Sequence, residues 1–288
     1  MKPAMKALSD DAPIGVFDSG VGGLSVLQAI RTELPLENLM YLADSGYAPY
    51  GDRDADFIAD RATAITEFLL AAGVKAIVIA CNTATVVAVA KLRAWCPVPV
   101  IAMEPAIKPA VLTTRSGSIG VLATSRTLAS PSVAKLCATY GNDVKIFLQP
   151  CPGLVEQVEK AELHSPDTHK LLVRYLSPLL EAGVDTLVLG CTHYPFLISL
   201  IRDIAGHQVT IIDPATAIAR ELSRRLGETR RRSANEQPAG IRFFTSAAAE
   251  SAGSIISTLL GEPVTVEVIE QAAGQGVLAP SEPRQIQL

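Results

Sequence analysis

The chain has 288 residues, 49% of them hydrophobic and 19% charged, with a net charge of −4. That length suits about two domains, each able to bury a core, and the charge gives no global pull toward nucleic acid or an anionic membrane. No apolar run approaches the roughly 18 residues that span a bilayer, and the polar opening "MKPAMKALSDDAP" has no signal-peptide core.

Short apolar runs alternate with longer helical patterns. "IGVFD" (14–18) reads as a strand, followed by a Gly-rich turn and the helical "LSVLQAIRTEL". "NLMYLAD" (38–44) is a second strand, leading into a loop with "APYGD". The helical "DFIADRATAITEFLLAAG" then precedes the fully apolar strand "AIVIA" (76–80). Continuous apolar strands between helices predict an α/β protein whose parallel sheets are covered on both faces.

The sequence repeats itself. "AGVKAIVIAC" (72–81) returns as "AGVDTLVLGC" (182–191), which places Cys191 110 residues after Cys81. "IGVFDSG" (14–20) resembles "IGVLATS" (119–125), and "VPVIAMEPA" (98–106) resembles "QVTIIDPA" (208–215) at nearly the same shift. Ordered matches of this kind predict two homologous α/β halves. The remaining C-terminal elements are too few for a domain and are expected to pack back on the first half. The expected division is 13–104 plus 214–270 for one domain and 105–213 for the other, with disordered tails at 1–12 and 271–288.

Five scattered cysteines, an odd number, do not form a disulfide framework, and the chain reads as a reduced, cytosolic protein. Cys81 and Cys191 both end an apolar strand, and each is followed by small polar residues: Asn82-Thr83 and Thr192-His193. Ligands of open parallel sheets gather beyond the carboxyl ends of the strands. Helix N-termini there favour anions and lower a thiol's pKa. The first strands end comparably, in Asp18-Ser19-Gly20 and Thr124-Ser125, so the pocket is expected to suit carboxylates.

Several readings of the thiols compete. A cysteine after a strand is commonly a small core residue, and Cys191 with His193 alone would suit a nucleophilic hydrolase. A zinc site lacks the CxxC or HxxxH spacing, so no metal is expected. Repetition of the thiol in both halves favours a facing pair, in which one thiolate takes a proton from one side of a carbon acid and the other thiol returns one from the opposite side. Cys96, Cys137 and Cys151 have no such repeat and read as structural. Gly20, Gly22 and Gly23 form GxGG rather than a dinucleotide fingerprint. Asp18 alone would otherwise be an N-cap and His193 a capping or packing residue.

"DSGVGGLSV" (18–26), "PYG" (49–51), "ACNTA" (80–84) and "GCTHYP" (190–195) resemble, in order and spacing, the motifs of the glutamate racemase family. The resemblance covers roughly residues 13–260. It implies two pseudo-symmetric, flavodoxin-like, open parallel-sheet domains with the active site in the cleft between them. It also implies cofactor-independent interconversion of L- and D-glutamate, which supplies D-glutamate for peptidoglycan. Cys81 and Cys191 then match the two acid/base cysteines, and Asp18 and His193 the polar residues assisting them. Glu159, in a looser match, stands where the family has a further acid. Ser19, Tyr50, Gly51, Asn82, Thr83 and Thr192 match substrate-binding positions, joined by Thr124, Thr127, Asp18 and His193. A cytoplasmic homodimer acting on a small-molecule substrate, with no cofactor, metal, membrane or nucleic-acid partner, is the resulting expectation. The alternatives are a related racemase for another acidic amino acid such as aspartate, and a regulatory protein that binds nucleic acid through the Arg-rich "RRLGETRRR".

Overall fold

Strand and helix boundaries follow the burial each segment can achieve. The computed structural model describes residues 9–229, 232–233, 238–271 and 278–280. The first part of the chain runs β1 (Ile14–Asp18), α1 (Leu24–Glu33), β2 (Leu39–Ala43), α2 (Ala55–Ala71), β3 (Ala76–Ile79), α3 (Asn82–Trp95) and β4 (Val100–Ala102). Every residue of β1, β2 and β3 is buried, as their unbroken apolar runs require.

The chain continues through α4 (Ile107–Thr113), β5 (Ser118–Ala123), α5 (Ser125–Leu128), α6 (Pro131–Tyr140), β6 (Lys145–Pro150), α7 (Leu154–Glu159) and α8 (Pro166–Glu181). Next come β7 (Thr186–Leu189), α9 (Ile198–Ala205), β8 (Thr210–Ile212), α10 (Ala215–Glu228), β9 (Ile241–Thr245) and α11 (Ala249–Leu260). The last described strands are β10 (Val266–Gln271) and β11 (Leu278–Pro280).

Two sheets result. One has the order β11-β10-β9-β2-β1-β3-β4, the other β6-β5-β7-β8. The segments β2-β1-β3-β4 and β6-β5-β7-β8 share one topology, so the sequence repeat is a structural repeat. All pairings within these segments are parallel. In each, the first strand lies between the next two, the switch point at which open sheets bind ligands. Asp18 and Cys81 lie at this crevice in the first sheet, Thr124 and Cys191 in the second.

β9 and β10 extend the first sheet from β2, and α10 packs on α1. Within the stretch expected to be a tail, Leu278–Pro280 instead pairs antiparallel with β10. The Leu278 side chain reaches the core, a single apolar anchor that the surrounding polar composition concealed. Residues 9–12 are also described, Gln271 ends β10, and the remaining tail residues, with Arg230 and Arg231, lie outside the described residues. No helix among the described residues is long and apolar enough to cross a membrane.

The end of the first sheet opposite the crevice is fastened by a buried ion pair. Lys75 is fully buried, and its Nζ lies 2.5 Å from Glu37 Oε2. The same ammonium donates to the Asp10 carbonyl, and Glu37 Oε1 accepts the Ser233 N–H at 2.9 Å. The pair thus ties the segment before β1 and the stretch after α10 to the sheet. Lys75→Ala leaves a carboxylate buried without its counter-charge and should lower unfolding free energy by about 3–5 kcal/mol. The double replacement Lys75→Met with Glu37→Leu should recover most of that loss. Urea denaturation of both variants checks this, and a loss below about 1 kcal/mol for Lys75→Ala would contradict it.

Candidate active site

The crevice ends of the two repeats meet around a tight cavity of about 10 Å³. It is lined by Ser19, Pro49, Tyr50, Gly51, Cys81, Asn82, Thr83, Thr124, Val155, Cys191, Thr192 and His193. Both thiols therefore border one space, as the repeat predicts. Of the remaining expected site residues, Asp18 and Glu159 stand behind this lining. Thr127 is fully buried, with its hydroxyl 3.0 Å from Thr124 Oγ1 and 3.3 Å from Thr83 Oγ1.

Cys81 is the N-cap of α3. Its sulfur accepts the Ala84 N–H at 3.3 Å and lies 3.6 Å from the Ser19 hydroxyl. Burial pushes this thiol well up, and the Asp18 carboxylate pushes it further, against the Ala84 N–H and the Ser19 hydroxyl. Asn82, next in the helix, is 2% exposed, and neither its amide nitrogen nor its oxygen meets a protein partner among the described residues. A buried amide is costly without a partner, so both atoms are available to a polar ligand.

Cys191 departs from the expected helix N-terminus. A 3-10 turn, Tyr194–Leu197, with a proline in its first positions, intervenes before α9. The sulfur of Cys191 lies 3.7 Å from His193 Nδ1, and His193 Nε2 lies 2.6 Å from Glu159 Oε1. Burial pulls the imidazole's pKa down, but the contacts with Cys191 and Glu159 outweigh it and hold it well above the usual histidine range. Glu159 also accepts the Val21 N–H at 2.8 Å.

Asp18 is completely buried at the end of β1. Its Oδ2 accepts the Gly23 N–H at 2.7 Å and the Thr192 hydroxyl at 3.3 Å. Burial raises its pKa, His193 lowers it and Glu159 raises it again, with a net upward shift. The GxGG turn owes its glycines to these neighbours. A Cβ on Gly20 would lie 1.9 Å from Glu159 Oε1, and one on Gly22 would lie 2.3 Å from His193 Nδ1.

The loop bearing Pro49, Tyr50 and Gly51 is held from beneath. Asp44, fully buried, receives Arg61 Nε at 2.9 Å and Arg61 Nη2 at 2.7 Å, and the Tyr50 hydroxyl donates to the same carboxylate. The guanidinium also lies over the Tyr47 ring at 3.9 Å. Asp44 and Arg61 were not legible as supports, because neither lies in a repeated segment. Ser25, whose hydroxyl reaches the Thr192 carbonyl across the two halves at 3.0 Å, was also missed. Among the described residues no group of three or more His, Cys, Asp or Glu side chains could hold a metal ion.

This arrangement offers two thiols on one small cavity, a charged His–Glu pair behind one of them and a row of small donors around both. The sequence profile of the family described as Asp/Glu/hydantoin racemase matches residues 14–222. A glutamate racemase of Pseudomonas paraeruginosa is 50% identical over 259 residues, covering 90% of this chain and 97% of that protein. The crystal structure of a Bacillus anthracis glutamate racemase superposes with a TM-score of 0.83 at 35% identity, covering 91% of this chain and 98% of that one. A Francisella tularensis glutamate racemase solved in complex with D-glutamate superposes with a TM-score of 0.78 at 29% identity, covering 91% and 98%.

Two outcomes follow from the geometry. Gly22→Ala must displace the His193 ring, and a displacement of about 1 Å should lower turnover by roughly 100-fold; wild-type turnover in a folded Gly22→Ala protein would contradict the placement of the ring. The raised His193 pKa makes the protonated ring stabilising. That contribution is whole below the unfolded value near 6.5 and fades as pH rises through the folded value. The gap in melting temperature between wild type and His193→Asn should therefore be widest at low pH and shrink on the alkaline side. A gap that widens with pH would reverse the sign.

Proposed function

The chain belongs to the Asp/Glu/hydantoin racemase family, and within it we propose that the protein is a glutamate racemase that interconverts L- and D-glutamate. The observation that carries this reading is the pair of thiols on one cavity, one from each repeat. Racemisation at a carbon acid needs a base on one face and an acid on the other, and exchanging the enantiomers exchanges those roles. A duplicated scaffold meets that need directly.

In this mechanism one of Cys81 and Cys191 is the thiolate. It takes the α-proton, and its sulfur becomes S–H as the electron pair passes to the α-carbon and the adjoining carboxylate. The opposite S–H then protonates the carbon from the other face, which leaves the second sulfur as the thiolate. No net electrons move and no cofactor enters the balance. His193, charged and held by Glu159, steadies a thiolate at Cys191. Asp18 works near Cys81 and orients Thr192 and the Gly23 turn.

The substrate's charged groups meet Ser19, Asn82, Thr83, Thr124 and Thr192, whose hydroxyl and amide groups surround the cavity. Tyr50 and Gly51 close one side. Thr127 acts through Thr83 and Thr124. Glutamate rather than aspartate is favoured by the length and identity of the match to curated glutamate racemases.

We extend the proposal to a cytoplasmic homodimer that supplies D-glutamate to peptidoglycan synthesis. The five free cysteines fit a reducing compartment, and the resemblance in motifs supports the rest. The first domain is taken as 13–104 plus 214–270 and the second as 105–213, a division supported by the addition of β9 and β10 to the first sheet.

Purified protein free of pyridoxal phosphate, incubated with L-glutamate in D2O, should form D-glutamate carrying deuterium at the α-carbon. Cys81→Ser and Cys191→Ser should each lower racemisation by about 10²–10⁴-fold. If neither exchange nor D-glutamate is detected, the racemase reading fails. If both single variants racemise normally, the two-thiol mechanism fails.

A further inference from the structure

Thr192 lies between Cys191 and His193, and its carbonyl is in an unusual position. The turn there is built from bonds between each carbonyl and the N–H three residues on. The Tyr194 N–H donates to the Cys191 carbonyl at 3.1 Å and the Phe196 N–H to the His193 carbonyl at 3.3 Å. The donor for the Thr192 carbonyl would be residue 195, a proline, which has no N–H. Thr192 is only 3% exposed, so water does not readily replace it. The Ser25 hydroxyl, from α1 in the other half, reaches this carbonyl at 3.0 Å and the Gly22 carbonyl at 2.9 Å.

We infer that Ser25 is a positioning residue for racemisation: it supplies the hydrogen bond that Pro195 cannot, and so fixes the Thr192–His193 segment against Cys191. Ser25 is not among the residues lining the cavity. Its single proton is shared between the Gly22 carbonyl, in the turn on which the His193 ring rests, and the Thr192 carbonyl, in the peptide that precedes His193. The groups that set the charge of this ring are Glu159 from α7, Cys191 from its own turn and Asp18 from the end of β1. Glu159 holds Nε2 through a contact in which Ser25 takes no part. The contact that Ser25 controls is the one between Nδ1 and the Cys191 sulfur.

This inference rests on the racemase reading for its kinetic consequence but has a readout that needs no turnover. Ser25→Ala removes the hydroxyl, and Ser25→Cys keeps nearly the same volume with a much weaker donor. In both, the His193 imidazole, followed by NMR and assigned with His193→Asn, should titrate at a lower pH than in wild type, because its contact with Cys191 is loosened. Turnover should fall about tenfold while KM stays within about twofold, as for a lost positioning bond. A His193 titration in Ser25→Cys equal to that of wild type overturns the inference. So does a lowered melting temperature with the titration unmoved, which is the mark of a purely structural serine. A wild-type protein that exchanges no α-hydrogen would instead sink the racemase reading, while the NMR result would still decide whether Ser25 positions His193.

Discussion

The contact between Glu159 and His193 places a carboxylate and an imidazole 2.6 Å apart at the junction of the two halves. Much of the surrounding backbone is shaped to accommodate it. Glu159 comes from α7, beside the second sheet, yet its oxygen also takes the Val21 N–H from the first half. Gly20 must lack a side chain to let that oxygen in, and Gly22 must lack one to let the imidazole in. The Gly-rich turn after β1 is therefore not a phosphate-binding loop. It is the surface against which a charged pair from the other half is pressed.

The scaffold is symmetric, but its polar filling is not. Both halves present a first-strand end and a thiol at the same topological switch point. Where the first half offers Asp18, the second offers Ala123, and Thr124 stands where the first half has Ser19. The two cross-half seams differ accordingly. One runs through Asp18, Thr192, Ser25, Val21 and Glu159, with charge in it. The other is three hydroxyls, Thr83, Thr124 and Thr127. A mirror-image reaction does not require identical acids on its two faces, only that each can hold and release a proton. Buried thiols favour their neutral form, and among the described residues the ring in contact with Cys191 is that of His193, whose pKa is held above the usual histidine range.

The fold was legible because buried parallel strands leave continuous apolar runs, and because the repeat doubled each signal. β1, β2, β3, β5 and β7 all follow such runs. β6 was not legible: as an edge strand it is half-exposed, and its sequence "KIFLQP" mixes polar and apolar residues. β11 was lost inside a polar stretch, where only Leu278 marks it. At the site, the thiols and their neighbours could be found from position alone. What could not be found were residues that act through hydrogen bonds to distant backbone. Asp44 and Arg61 support Tyr50 from 6 to 11 positions away, and nothing in their local pattern announces it. Ser25 did leave a signal in the proline three residues after Thr192, but that signal has meaning only once the turn geometry is known.

The distribution of strong and weak interactions fits a site that must admit and release its ligand. At the far end of the first sheet, Lys75 and Glu37 form a fully buried ion pair, whose disruption is expensive because each partner left alone is a stranded charge. At the crevice end, the polar contacts between the two halves are single hydrogen bonds from Ser25, Thr192, Val21 and Thr83, beside a shared apolar cluster; each is worth about 1 kcal/mol net between neutral groups and about 1.5–3 kcal/mol to a carboxylate. A cavity this small cannot exchange an amino acid without some parting of its walls, and bonds of that size can break and reform during a catalytic cycle. The rigid fastening therefore lies where nothing needs to move. The adjustable one lies at the crevice proposed for both the reaction and the passage of substrate.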